Sequence, residues 1–260
     1  MNKWIEYSIA YANQRSYLDD LFRIYPTIPE GVRDIDHFKW EQVENAFNSQ
    51  NNNALIKSLL QLELFPIKDS YVAYLRSDAN AIDRNPQTIN RLCGRIYELG
   101  LGKLFERCTE PKETNRQIGP LFKDWIRSNA LGIAPVPLNE FIETNCNAVL
   151  DASDAQMMDF AREKLNYHHE KGLDFVARFN GKYVIGEAKF LTDFGGHQNA
   201  QFNDAISTIT TPNVNAIKIA ILDGVLYIPK NNKMFKAITQ TYSNENIMSA
   251  LILRDFLYSI

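Results

Sequence analysis

Three residues of this chain stand out for chemistry: Asp174, Glu187 and Lys189. Two carboxylates and an ammonium gathered at one point are the equipment for a metal-assisted attack on a phosphodiester. All three fall within GLDFVARFNGKYVIGEAK, residues 172–189. Glu-x-Lys by itself carries no weight. With 15 Glu and 15 Lys in 260 residues, about one such triplet arises by chance, and the chain holds two. Glu110-Pro111-Lys112 lies in a polar stretch beside a proline, where no sheet fixes its geometry. Glu187-Ala188-Lys189 ends an apolar run and has an acid on the adjoining run.

The elements that must position these groups are two strands. Runs rich in β-branched and aromatic residues flank Asn180-Gly181, the strongest short hairpin signal. A period of two puts Leu173, Phe175, Ala177 and Phe179 on one face and Asp174 on the other. The same period projects Glu187 and Lys189 from one side of the second strand. Charge in such half-buried runs is costly unless it is paired or binds a metal. A catalytic cluster accounts for all three charges together. A simple cross-strand pair, with the second acid at a solvated edge, accounts for two.

This arrangement resembles the PD-(D/E)xK nuclease superfamily, and its setting is similar to that of type II restriction endonucleases. The matching residues are Asp174 after a helix, twelve intervening residues with a turn, then Glu187-Ala188-Lys189. The likeness covers about residues 153 to 230. Leu173 stands where the motif has proline. The resemblance implies an α/β (α+β) fold: a restriction-endonuclease-like mixed β-sheet core flanked by helices, with a helical N-terminal half. It implies Mg²⁺, with Mn²⁺ as a substitute, bound by Asp174, Glu187 and the Ala188 carbonyl. Lys189 would orient or help deprotonate the attacking water. The implied reaction is hydrolysis of double-stranded DNA at a specific sequence, and the implied assembly is a homodimer that cuts both strands. Two other functions compete. One is a structure- or damage-specific nuclease or nickase of the same superfamily; the other is a DNA-binding protein without cleavage.

Secondary candidates surround the hairpin. Glu163 sits on the preceding helix, where related nucleases often add an acid, although Asp159 and Glu163 at i,i+4 also suit a solvated face. His168 and His169 follow that helix, where its dipole favours them. Past Lys189, Gly196 permits close backbone approach, and Gln198, Gln201 and Asn203 carry amides suited to base edges or backbone. Arg116 and Gln117 open another helix and could meet phosphate there. Asp193 reads as a turn residue.

Composition bounds the rest. Hydrophobic residues make up 45% and charged ones 23%, as in an ordinary globular protein without disordered bias. No apolar run reaches the length of a membrane span, and MNKWIEYSIAYANQRSYLDD lacks the core of a signal peptide. Three widely spaced cysteines fit reduced thiols in a cytoplasmic protein rather than a disulfide framework or zinc site. Net charge is −3, which alone argues against nucleic acid, but its distribution is uneven. Arg76 to Arg127 holds ten Lys/Arg against seven Asp/Glu.

Residues 1–110 read as a helical region for dimer contacts or DNA recognition, and 111–260 as the catalytic core. Helices are predicted over Trp4–Ile24, about Asp36–Asn48 with Phe38, Val43 and Phe47 inward, and Ala54–Leu64 after a break at residues 51–53. Others follow at Ser70–Arg76, from Pro86 with Asn85 as cap to Gly100, and at about Arg116–Asn129. Ser153 caps a helix to about Tyr167, and a polar helix spans about His197–Thr210. Ala216–Leu222 reads as a buried strand. Asp223-Gly224 reads as a second hairpin turn into Val225–Ile228. Two helices, near Met234–Tyr242 and Asn246–Tyr258, finish the chain.

Overall fold

Asn180 and Gly181 adopt φ of 51° and 74° in the computed structural model, the left-handed pair that a two-residue hairpin turn requires. They join the two strands that carry the candidate site. The structure describes residues 1–14, 16–26, 33–111, 117–229 and 232–260. In chain order the helices begin with α1 (Lys3–Ala12) and α2 (Tyr17–Ile24). Six more follow: α3 (His37–Asn48), α4 (Asn52–Leu60), α5 (Val72–Ser77), α6 (Ala81–Arg84), α7 (Pro86–Leu99) and α8 (Leu101–Cys108). Next come α9 (Ile118–Arg127), α10 (Leu138–Glu143), β1 (Ala148–Val149), α11 (Asp154–Leu165), β2 (Phe175–Phe179) and β3 (Lys182–Leu191). The chain ends with α12 (Gly196–Thr210), β4 (Ile217–Gly224), α13 (Lys233–Lys236), β5 (Ile247–Met248) and α14 (Ala250–Ser259).

The chain divides into two units. One comprises Met1–Thr27 and Thr114–Ile260, the other Ile28–Glu113. The first holds a five-stranded mixed sheet in the order β1-β2-β3-β4-β5. β1, β2 and β3 pair antiparallel, while β4 runs parallel to both β3 and β5. Both faces are covered, so β2 is buried at all five positions, as in sheets with helices on each side. Phe175, Ala177 and Phe179 join one core with residues of α1, α2, α9, α12 and α14. Val176 and Ile185 join another, with Phe160, Ala161 and Leu165 of α11. The second unit is all-helical among the described residues, built round Leu55, Ile56, Leu59, Leu92 and Ile96. No described helix is long and apolar enough to cross a membrane.

β3 approaches β4 closely at one point beside the site. A Cβ on Gly186 would stand 2.5 Å from the Ile219 carbonyl oxygen, and backbone cannot yield as a side-chain tip can. Gly186→Ala is expected to cost about 1–3 kcal/mol of stability through this overlap, read as a lowered denaturation midpoint. An unchanged midpoint would show that the two strands separate freely there.

Several expectations are corrected. The first predicted helix is two, α1 ending at Ala12, where the Asn13 side chain bonds the Ile9 carbonyl, and α2 beginning at Tyr17. Phe38 is 69% exposed, and the α3 residues that are buried are Trp40, Val43 and Ala46. Asn51 caps α4, so Asn52 and Asn53 lie in the helix rather than in a break. Asn85 makes no side-chain cap; its amide binds the Ala81 carbonyl. Leu173 lies outside β2 and packs with Val176 rather than with Phe175. Asp223-Gly224 is no hairpin: Val225–Tyr227 forms a 3₁₀ turn, and β4 pairs only with parallel neighbours. The reason is that Asp223 turns inward onto a buried hydroxyl cluster rather than bracing a turn. β5 is an unforeseen strand ahead of the last helix.

Candidate active site

The register of the hairpin places the first acid. Phe175 pairs with Gly186, so Asp174 stands one step beyond, across from Glu187. Its N–H donates to the Gly186 carbonyl at 3.1 Å, which extends the ladder past the strand. Upstream, Ser153 and Gln156 form a reciprocal capping box at the start of α11. The helix closes on Asn166 in the left-handed conformation and releases the chain toward Asp174.

The three charged groups meet. Asp174 Oδ2 accepts from the Ala188 N–H at 3.0 Å and from Lys189 Nζ at 2.9 Å. Lys189 Nζ lies 3.4 Å from Glu187 Oε2, a charge contact without hydrogen-bond alignment, since that oxygen is buried and has no donor. The Glu187 side chain is only 5% exposed, against 24% for both Asp174 and Lys189. Glu187 therefore does not sit at a solvated edge.

Burial pushes the Glu187 carboxyl above its usual range; Lys189 opposes this, while Asp174 and Asp204 add to it. For Lys189, burial works against the ammonium, but Asp174 and Glu187 outweigh it, and its pKa is raised. A buried carboxylate oxygen without a donor is costly, and a hard cation is a group that satisfies it. Among the described residues no three His, Cys, Asp or Glu side chains are grouped to hold a metal. Asp174 and Glu187 bring two carboxylates together, oxygen donors of the kind that would suit an ion that keeps several waters.

The other sequence candidates fall differently. Glu163 is on the exposed side of α11, and among the described residues it has no bond to the cluster. His168 pairs with Asn166 at 2.9 Å, and His169 accepts from the Lys171 N–H at 3.0 Å. Asp193 braces a turn by accepting from the Gly195 N–H. Gly196 opens α12 on the surface, Gln201 is half-buried and Asn203 is exposed. Gln198 is 3% exposed and accepts from the Thr192 N–H, pinning the segment that follows β3. Gln117 immediately precedes α9; Arg116 lies outside the described residues.

Two features escaped the sequence reading. Asp204 of α12 pairs with Lys171 at 3.1 Å and acts on Glu187. Asp174 also lines a shallow groove with Lys123 and Arg127 of α9 and with Asp151; Arg127 binds Asp151 at 2.8 Å. No spacing pattern links residues so far apart in the chain.

No curated protein and no solved structure matches the chain. A family model, that of the Tsp45I type II restriction enzyme, matches residues 2–260. A match across nearly the whole length places both the helical unit and the sheet unit within one family description. The chain belongs to the Tsp45I type II restriction enzyme family.

Proposed function

We propose that this restriction endonuclease hydrolyses double-stranded DNA at a specific sequence by a Mg²⁺-dependent mechanism, with Asp174, Glu187 and Lys189 as its catalytic residues. The observation that carries the reading is the buried, donorless Glu187 oxygen beside the Asp174–Lys189 pair. Asp174, Glu187 and the Ala188 carbonyl would hold Mg²⁺, or Mn²⁺ in its place. Bound there, the ion supplies an acidified water and offsets charge on the phosphorane-like transition state. The Ala188 N–H holds Asp174 in place. Lys189, fixed between two acids, orients the attacking water and faces the charge that grows on the phosphoryl oxygens.

One catalytic cluster per chain and two strands to cut favour a homodimer with two-fold symmetry. The helical unit adds the surface that target recognition requires. The direct test is digestion of a plasmid or phage DNA of known sequence with Mg²⁺. Discrete bands that vanish with EDTA are expected, and mapped ends give the site. Intact DNA across several substrates and metals would overturn the reading.

Lys189→Ala is expected to lower the cleavage rate about 10²–10³-fold, the usual loss when one preorganised charge-stabilising group is removed. DNA affinity should stay within a few-fold. A rate near that of the wild type at saturating DNA would assign Lys189 to structure alone.

A further inference from the structure

The helical unit carries a surface for which the cleavage chemistry has no use. Tyr71 and Tyr74 are 60% and 61% exposed, though each is a large aromatic side chain. They flank the start of α5, and an arginine stands beside each. The Arg91 guanidinium lies 5.6 Å from the centre of the Tyr71 ring, and Arg84 bonds Asp78 next to Tyr74. Arg95 follows Arg91 by one turn on the exposed side of α7.

Two of these cations, Arg84 and Arg91, are held by carboxylates that also offset part of their charge, Asp78 and Asp69. Asp69 bonds the two terminal nitrogens of Arg91 at 2.6 and 3.3 Å, and its other hydrogen bond is from the Tyr71 N–H. A guanidinium braced on one edge by a carboxylate and on one face by a ring loses little freedom when it meets a ligand. Between Lys68 and Arg95 the chain holds five Lys/Arg against three Asp/Glu, a local excess of cations in a protein of net charge −3. Positive charge interleaved with exposed tyrosines suits a polyanion with sugar faces.

We propose that the face formed by Tyr71, Tyr74, Arg84, Arg91 and Arg95 grips the sugar-phosphate backbone of duplex DNA. The arginines pair with phosphates, and the tyrosines donate their hydroxyls to phosphate while their rings pack on deoxyribose. Such contacts set register and strength of binding without reading bases. The inference rests on the DNA-cleaving function above.

The test is fluorescence anisotropy with two duplexes, one cut by the wild type and one left intact, in Ca²⁺ in place of Mg²⁺. Arg91→Ala/Arg95→Ala is expected to weaken binding about tenfold to both duplexes alike. It should also flatten the dependence of log K on log salt by about 1–2. Arg91→Lys/Arg95→Lys should keep the salt dependence, and Tyr71→Ala/Tyr74→Ala should weaken binding more than the Phe pair does. Wild-type affinity and salt slope in the folded alanine variants would overturn the proposal. So would a loss confined to the cut duplex, which would mark base reading. Unchanged DNA binding with half the sedimenting mass would overturn it in favour of a contact between two copies. A wild type that neither binds nor cuts DNA would instead sink the function on which this rests.

Discussion

Asp174→Asn is expected to lower single-turnover cleavage by about 10³-fold or more, roughly 4 kcal/mol of transition-state stabilisation. Binding to the same DNA in Ca²⁺ should change by less than about tenfold. The substitution keeps side-chain size and one oxygen able to accept from the Ala188 N–H, a bond now 3.0 Å long. What it removes is charge. Of the two carboxylates at the site, Glu187 is 5% exposed and Asp174 is the more open, so in the proposed mechanism Asp174 is the side by which a metal and its waters would arrive. Without it the proposed donor set would fall to one carboxylate and one carbonyl, too little for a hard divalent ion. The ammonium of Lys189, 2.9 Å from that same Asp174 oxygen, keeps an acceptor but loses the opposing charge that holds it. Calorimetric titration with Mg²⁺ or Mn²⁺ should show heat in the wild type and none in the variant. Cleavage within tenfold of wild type, with metal heat retained, would remove Asp174 from the mechanism.

The site could be read from the sequence because its geometry is local. Asn180-Gly181 determines the turn, the turn determines the register, and the register sets Asp174 across from Glu187. A period of two then brings Lys189 to the same side. The amide-rich helix shows how a compositional cue misleads. Gln198 looked like a groove-reading amide, yet Gln198, Phe202, Ala205 and Ile209 recur at helical spacing and are all buried. That periodicity was present in the sequence and outweighs the residue type. Phe38 makes the same point: five residues before Val43, it points about 140° away from the buried face of Trp40, Val43 and Ala46 and is exposed. Other features had no local signal at all. β5 is two residues long and exists through its pairing with β4. The Arg127–Asp151 and Lys171–Asp204 pairs close over 24 and 33 residues, and only the folded sheet brings their ends together.

Asp223 is the furthest from legibility and carries the second large effect. Asp-Gly after a β-branched run is a strong turn signal, but the partners of this acid lie 198 and 206 residues away on one side and 26 and 27 on the other. The Asp223 carboxylate is fully buried. It accepts from Tyr25 at 3.1 Å, Tyr17 at 3.5 Å, the Ser249 hydroxyl and the Ala250 N–H at 3.2 Å. These bonds tie α2 and the start of α14 to the end of β4. Asp223→Ala orphans four buried donors and leaves a cavity, and is expected to cost about 3–5 kcal/mol of stability, read by urea denaturation at pH 7. Loss below about 1 kcal/mol would mean that the hydroxyls find other partners. The pH dependence has a definite sign. Burial raises the carboxyl from 3.8 to about 6, against the pull of its four donors. Between those values the unfolded chain has released the proton and the folded protein still holds it. The contribution of this group is thus complete only well below pH 3.8 and lost as pH rises through about 6, by roughly 3 kcal/mol in all. Asp223→Asn does not titrate. Its stability relative to wild type should therefore shift in its own favour by about 2 kcal/mol between pH 4 and pH 7, and a difference that stays flat over this range would place the titration of Asp223 elsewhere.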